Sequence, residues 1–321
     1  LPHIPLEAAR LSTDKLAMKE CFQAKRVPIP WFQAIQTVEE LSAIIETRGY
    51  PLILKPVDRS GARGVFQLHP NCDYKALFQQ SQQESFSGQL MVEEYLAGPQ
   101  ISTESIMHQG RAHTPGFVDR NYEHLERFAP HIIENGGWEP SRVSAEQRAA
   151  VEALVQQAAL ALGVTDGVVK GDIVYTAEGP KIIEMATRLS GGDFSESLVP
   201  LGAGINYVET ALQIALGETP QLDLLRPKFA TAVANRYFFP AAGKLLSIEG
   251  IEEVRQQDFV KKLEIWYAVG DTVPDVSSHA HRFGVFIVVA DDLDRLEERV
   301  RWVYETVQIE IESSTEPPHA S

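Results

Sequence analysis

The chain has 321 residues and a formal net charge of −15. That length exceeds one small core and suits two or three domains, while the acidic balance excludes a general binder of nucleic acid or anionic membrane, since both need a basic surface. Cys21 and Cys72 have neither metal-ligand spacing nor the density of a disulfide scaffold. No apolar run approaches a membrane span and the N-terminus carries no signal pattern, so a reducing cytoplasm is the expected location.

Ser12-Thr13-Asp14 reads as the cap of a helix from Lys15 to Phe22, ended near Arg26 by Val27-Pro28-Ile29-Pro30. A second helix, around Val38–Thr47, closes on Gly49. Tyr50–Pro56 then predicts a short buried strand with Lys55 at its end, where an ammonium can leave an apolar sheet for a cleft. Asp58–Val65 follows as a loop whose glycines, Gly61 and Gly64, allow backbone N–H groups to approach a phosphate. After a helix near Tyr74–Gln83, Gln89–Leu96 is a strand and Ile101–Ile106 the next. Asn121–Pro130 breaks the pattern as a mobile loop. Ser144 and Gln147 form a capping box opening a long structural helix whose apolar face is Val151, Leu154, Val155, Ala158 and Leu162, stopped by Gly163.

The richest stretch is Val168–Gly192. Two β-rich runs, Val168–Tyr175 and Lys181–Met185, flank Ala177-Glu178-Gly179-Pro180, which predicts a hairpin. Centring its loop on Glu178 sets Asp172 opposite Glu184. Facing carboxylates repel across a ladder, and a divalent cation such as magnesium between them would offset that repulsion. Arg188, four residues on, could neutralise a phosphate held by the same metal. The alternative is that Asp172 faces solvent and Glu184 pairs with Arg188. Beyond the hairpin lie a helix from about Tyr207 to Leu216, a linker at Pro220–Lys228, strands at Thr231–Phe238, Lys262–Tyr267 and Phe283–Ala290, and a last helix, Leu293–Val307. Ser313–Ser321 reads as a disordered tail.

The order of these features resembles the ATP-grasp superfamily of carboxylate–amine and carboxylate–thiol ligases, from Ser12 to about Gly217. It is carried by Asp14-Lys15, the strand ending in Lys55-Pro56 with its Ser60–Val65 loop, Glu93-Glu94-Tyr95-Leu96, Asp172, and Ile183-Glu184-Met185-Ala186-Thr187-Arg188. The resemblance implies an α+β architecture, an ATP-grasp fold whose two α+β subdomains enclose the nucleotide, with a small C-terminal α+β domain like that of biotin carboxylase and the amino-acid ligases. The implied divisions are a lead-in at 1–18, a lid subdomain at 19–90, a large subdomain with the metal and catalytic site at 91–225, the C-terminal domain at 226–312 and the tail at 313–321.

By the same resemblance Lys15 and Lys55 hold phosphates and Ser60, Gly61 and Gly64 close over them as a lid. Glu93, Glu94, Tyr95 and Leu96 form the hinge that meets adenine, with Glu93 and backbone groups in contact, and Gln100 accepts from the ribose. Asp172 and Glu184 bind magnesium, for which manganese can substitute. Arg188 and Lys170 act in catalysis, and Glu104, Gly191 and Gly192 meet substrate. Three positions depart from the family pattern: Ala186 where a metal-ligating asparagine is common, Gln100 where a glutamate is common, and Lys170 where a histidine is common. The family's N-terminal Rossmann-like domain has no counterpart before Lys15, and the chain begins at Leu1 without methionine, which implies a larger parent chain or a partner that supplies that domain.

The implied function is an ATP- and magnesium-dependent ligase that activates a small carboxylate as acyl-phosphate and couples it to an amine, with amino-acid-like substrates. The Asp119–Trp138 segment, including Asp119-Arg120-Asn121 and Gly136-Gly137, is a candidate lining for them. A homodimer is possible; nucleic acid and membrane are not expected partners. Two alternatives stay open: a purine-pathway or biotin-dependent carboxylating enzyme of the same fold, and a non-catalytic nucleotide-binding module.

Overall fold

A computed structural model describes residues 3–312, so the expected tail lies outside the described residues. The chain folds into three antiparallel-paired sheets. The first, small sheet has the order β1 (Phe32–Ile35), β4 (Leu90–Glu94), β2 (Leu52–Pro56), β3 (Phe66–Leu68). Helices Val38–Arg48 and Tyr74–Glu84 pack on it. The first of these helices carries both reciprocal bonds of a capping box between Thr37 and Glu40, which satisfy backbone donors that a helix start leaves open.

The central sheet has eight strands. Its inner members are β5 (Gln100–His108), β6 (Arg111–Arg120), β7 (Gly137–Glu139), β8 (Gly167–Thr176) and β9 (Gly179–Ala186). The C-terminal part supplies β10 (Ala232–Phe238), β12 (Val260–Ile265) and β14 (Gly284–Ala290), and the order runs β12-β14-β10-β7-β6-β5-β8-β9. Short strands β11 (Gly243–Glu249), β13 (Thr272–Val273) and β15 (Gln308–Glu312) form the third sheet. The expected boundary near residue 226 is therefore no break between sheets: β10 pairs with β7 through Val233↔Glu139, Ala234↔Trp138 and Asn235↔Gly137.

Two divisions at the N-terminus also change. The lead-in contains a helix, Leu6–Thr13, that the sequence reading did not predict. The next helix, Lys15–Ala24, was to be split at residue 18, with its second half in the lid subdomain. Instead Met18 and Phe22 are buried in the large subdomain's core with Phe117, Val155 and Ile182. The small sheet's core takes no residue from this helix, so the lid subdomain begins after it, at the β1 strand.

The predicted hairpin is present as β8–β9, and Asp172 faces Glu184 in register. It gets there by a different route from the symmetric loop. The turn pairs Thr176 with Gly179, which alone would offset Asp172 from Glu184 by one residue, and a bulge between the Asp172 and Ile173 pairs restores the match. The extra residue, Ile183, breaks the strict alternation of faces, so Ile183 and Glu184 both line the central cavity while Ile182 is buried. The loop after β6 is not a free excursion: it contains the helical turn Leu125–Phe128, and the Gln67 N–H of the lid donates to the Pro130 carbonyl at 2.9 Å.

Candidate active site

A cavity of about 620 Å³ opens between the small sheet and the central sheet. Seven cationic side chains line it against five carboxylates, in a chain whose overall charge is −15. That local reversal of sign is what a polyanionic ligand needs.

Each wall has a local cause. Asp14 caps the Lys15–Ala24 helix by accepting from the Ala17 N–H at 2.9 Å, and the Lys15 N–H donates to the Val57 carbonyl at 2.8 Å. Together these hold Lys15 where the helix begins, beside the end of β2. Its ammonium donates to the Arg59 carbonyl at 2.5 Å and lies 3.4 Å from Glu184 Oε2. Lys55 emerges from β2 and lies 2.6 Å from Glu93 Oε2; Lys19, one helical turn beyond Lys15, lies 3.1 Å from Glu93 Oε1. Above them the 60–64 loop turns through Gly61, Ala62 and Gly64 at φ +70°, +60° and +66°. Left-handed residues in such a run turn backbone N–H groups toward one concavity, and Ala62 adopts the conformation without being glycine.

Opposite the lid, Asp172 and Glu184 face the cavity from β8 and β9. Asp172 accepts from Ser102 Oγ at 2.6 Å, is paired with Lys170, and has Arg120 at 3.8 Å. Burial alone would raise its carboxyl pKa, but Lys170 and Arg120 outweigh that and hold it well below the usual carboxylate range. Glu184 shows the same contest: burial raises it, Lys15 and Lys170 lower it, and the outcome is a lowered pKa. Both carboxylates are thus ionised and both already face cations. The alternative pairing of Glu184 with Arg188 is not formed; Arg188 donates to the Leu189 carbonyl at 3.0 Å and has no ion pair among the described residues. The described residues contain no group of three or more His, Cys, Asp or Glu side chains placed to hold a metal. Two facing carboxylates nevertheless fit magnesium, which takes one or two of them and completes its shell with phosphate oxygens and water.

All the residues expected at the site line this cavity except Gly64 and Glu104. Gly64 packs against the Tyr74–Glu84 helix, where a Cβ would come within 3.0 Å of Glu84 Cβ and Pro56 Cγ, and its carbonyl accepts from Ser81 Oγ at 2.8 Å. That close packing of the loop leaves no room for a side chain. Glu104 is fully buried behind the cavity wall, with its pKa raised to about 7 chiefly by burial. The Glu93 carboxylate is held between two lysines, Lys19 and Lys55. Gly192, at φ +69°, has Asn235 donating to its carbonyl at 2.9 Å, which fixes the turn after Arg188.

A profile of the ATP-grasp domain matches residues 12–192, more than half of the chain, covering the lid, the hinge and the paired carboxylates. The chain belongs to the ATP-grasp family. A second profile, an L-amino acid ligase C-terminal domain, matches residues 236–312. The solved L-amino acid ligase of Bacillus licheniformis superposes with a TM-score of 0.81 at 22% identity, covering 98% of this chain and 75% of that one. Among curated sequences, the L-arginine-specific L-amino acid ligase of Bacillus subtilis is 24% identical over 85% of this chain and 65% of its own length. The D-alanine–D-alanine ligase of Aromatoleum aromaticum is 27% identical over 67% of this chain and 68% of its own. The chain spans about three fifths to two thirds of the length of the curated relatives it matches.

Beyond these family features, the cavity has a far end where the segment expected to line the substrate meets Arg282 and His279, which sequence reasoning left unassigned. Arg120 pairs with Glu134, and Arg282 donates to the Glu134 carbonyl at 2.7 Å while its guanidinium stacks over Tyr237 at 3.7 Å. The Glu134 N–H donates to His279 Nε2 at 3.3 Å, and burial, with Arg282 and Arg120 nearby, holds that imidazole well below its usual pKa and so neutral. The His279 N–H in turn donates to the Gly61 carbonyl at 3.1 Å, so the C-terminal part touches the tip of the lid. Arg120 lay within the segment proposed for substrate; Lys19 could have been found as the i+4 companion of Lys15 on one helix face.

Proposed function

We propose that this ATP-grasp chain supplies the nucleotide and acyl-transfer centre of an ATP- and magnesium-dependent carboxylate–amine ligase acting on amino-acid-like substrates. The observation that carries this is the pair Asp172 and Glu184, held ionised and face to face in a cavity where Lys15, Lys170 and Arg120 converge. Joining two anions requires the charge that develops on phosphoryl oxygens to be met by fixed cations in a site screened from water.

Asp172 and Glu184 would hold magnesium, which supplies Lewis-acid stabilisation of phosphate oxygens. Lys15, from the start of its helix, and Lys55, from the lid's β2, would meet the phosphates as point charges. Tyr95, Leu96 and Gln100 line the nucleotide end. Arg188, which has no ion pair among the described residues, is available as a planar fork to the reacting carboxylate and the phosphoryl group it attacks. In the balanced sequence a carboxylate oxygen bonds to the γ-phosphorus as ADP leaves; the amine then bonds to the acyl carbon, phosphate leaves and the amine sheds a proton. The far end carries both signs of charge, Arg120 and Arg282 paired with Glu134, and an amino acid would exchange those pairs for its own carboxylate and ammonium.

ATP-dependent phosphate release, screened over pairs of amino acids with and without magnesium, tests this reading. Release is expected only with ATP, the metal and a productive pair together. Tight binding of ATP with no release for any pair would make the chain a nucleotide-binding module instead.

A further inference from the structure

Glu93 on β4 is 2% exposed and carries a lysine on each carboxylate oxygen, Lys55 at 2.6 Å from Oε2 and Lys19 at 3.1 Å from Oε1. The two lysines are not equivalent. Lys55 lines the cavity, whereas Lys19 is wholly buried and does not. The Lys19 ammonium also donates to the Ile182 carbonyl at 3.1 Å, which ties it to β9 as well as to the hinge. One lysine can therefore reach a ligand and the other is fixed.

A lysine held at 2.6 Å by a buried carboxylate has its charge largely neutralised there, so even with N–H groups to spare it meets a phosphate at full strength only if that contact loosens. If Lys55 were the only partner, its departure would leave Glu93 charged, buried and unpaired, which is strongly unfavourable. A second ammonium already in place removes the obstacle. With both lysines present the cluster has one positive charge too many, and burial lowers the Lys19 pKa to about 8 despite the attraction of Glu93, with Lys55 adding to the lowering. Drawing Lys55 toward a polyanion relieves that surplus and leaves one lysine on one carboxylate.

We propose that Lys19 is a positioning residue, the reserve counter-ion of Glu93 that frees Lys55 to move onto the nucleotide phosphates. This rests on the reading of Lys55 as a phosphate ligand. Three variants separate the two ideas, each followed by calorimetric titration with magnesium and a non-hydrolysable ATP analogue and by thermal melting without nucleotide. In Lys19→Met the stem still packs and Glu93–Lys55 becomes an exclusive pair, so the protein folds and affinity for the analogue falls at least tenfold. Adding Glu93→Gln to Lys19→Met removes the charge that detains Lys55 and returns affinity to within threefold of the parent, a rescue that a merely structural Lys19 would not show. Unchanged affinity in Lys19→Met, or a double variant as weak as the single, overturns the proposal. Normal affinity in Lys55→Met overturns the phosphate reading and this inference with it, whereas a weak Lys55→Met beside a normal Lys19→Met overturns the inference alone. Should Lys19→Met fail to fold, Glu93→Gln decides: with nothing to detain Lys55 the analogue must bind at least as tightly as to the parent, and weaker binding overturns the proposal.

Discussion

Two acidic pairs are built into the same central sheet, and they behave in opposite ways. Asp172 and Glu184, on β8 and β9, are held ionised. Glu104 and Glu139, on β5 and β7, are pushed up to about 7 and about 8. Burial acts in the same direction on all four, so it does not distinguish them. Neighbours do: Lys15, Lys170 and Arg120 close on the first pair, whereas Glu104 Oε1 and Glu139 Oε2 each lack a hydrogen-bond partner among the described residues. An acidic residue in a buried strand becomes a site for cations only where the fold brings basic side chains to keep it charged.

The strongest way to break this comparison is to exchange a member of each pair for its amide. Asp172→Asn removes one of the two carboxylates proposed for magnesium and leaves Lys170 and Arg120 without their partner. Turnover is expected to fall about a thousandfold, roughly 4 kcal/mol on the barrier, measured with a productive pair from the phosphate-release screen. Glu104→Gln, behind the wall, should stay within about threefold. Equal losses in the two variants would mean that the cation shell does not define the site.

The pairs should also differ in how pH acts on stability. The folded pKa of Glu139, about 8, lies above its unfolded value. Between those values the folded state keeps a proton that the unfolded state has lost, so this group's contribution to stability falls as pH rises toward 8 and is flat beyond. Glu139→Gln should therefore give little gain at pH 5 and a gain on the order of 2 kcal/mol at pH 8.5, read from urea denaturation at both pH values. Asp172 has the reverse sign: its folded pKa is depressed, so its stabilisation is complete above its unfolded pKa and is lost only as pH falls through the folded one. A Glu139→Gln gain independent of pH would contradict the assignment of a raised pKa.

Lys181 supplies the smallest effect and the sharpest control. It lies 3.3 Å from Glu94 and 3.0 Å from Glu178, at ion-pair distance, but Glu178 is open to water. Lys181→Met should change stability by less than about 0.5 kcal/mol, and less at high salt. A larger loss would show that nearness of charge matters here without exclusion of water.

Much of this contrast was legible in the residues themselves, and some was not. The hairpin was readable because a turn signal between two β-rich runs sets a register, and Asp172 does meet Glu184. The bulge that makes it so was not readable, since one extra residue in a strand leaves no mark in composition. Local spacing also could not show that Glu93 faces two lysines, because one comes from a helix some seventy positions earlier and the other from a neighbouring strand. Arg282 and His279 were out of reach for the same reason: they approach Glu134 and Gly61 from nearly the opposite end of the chain. Glu104 shares the β5 face of Gln100 and Ser102, and its cover by the turn after Arg188, whose Ser190 N–H donates to its Oε2 at 3.4 Å, is a distant contact that local spacing does not show.

The contact between His279 and Gly61 also has a consequence for the order in which the protein is made. A nascent chain that has reached the end of the β8–β9 hairpin possesses the glycines of the 60–64 loop, the lysines proposed for phosphate and both carboxylates proposed for the metal. It does not yet possess the surface on which the lid tip rests, nor the β10 strand that covers the edge of β7. The strands from β10 onward, made later, therefore complete the cavity wall, and a chain cut short before them would hold most of its charged machinery beside an open sheet edge.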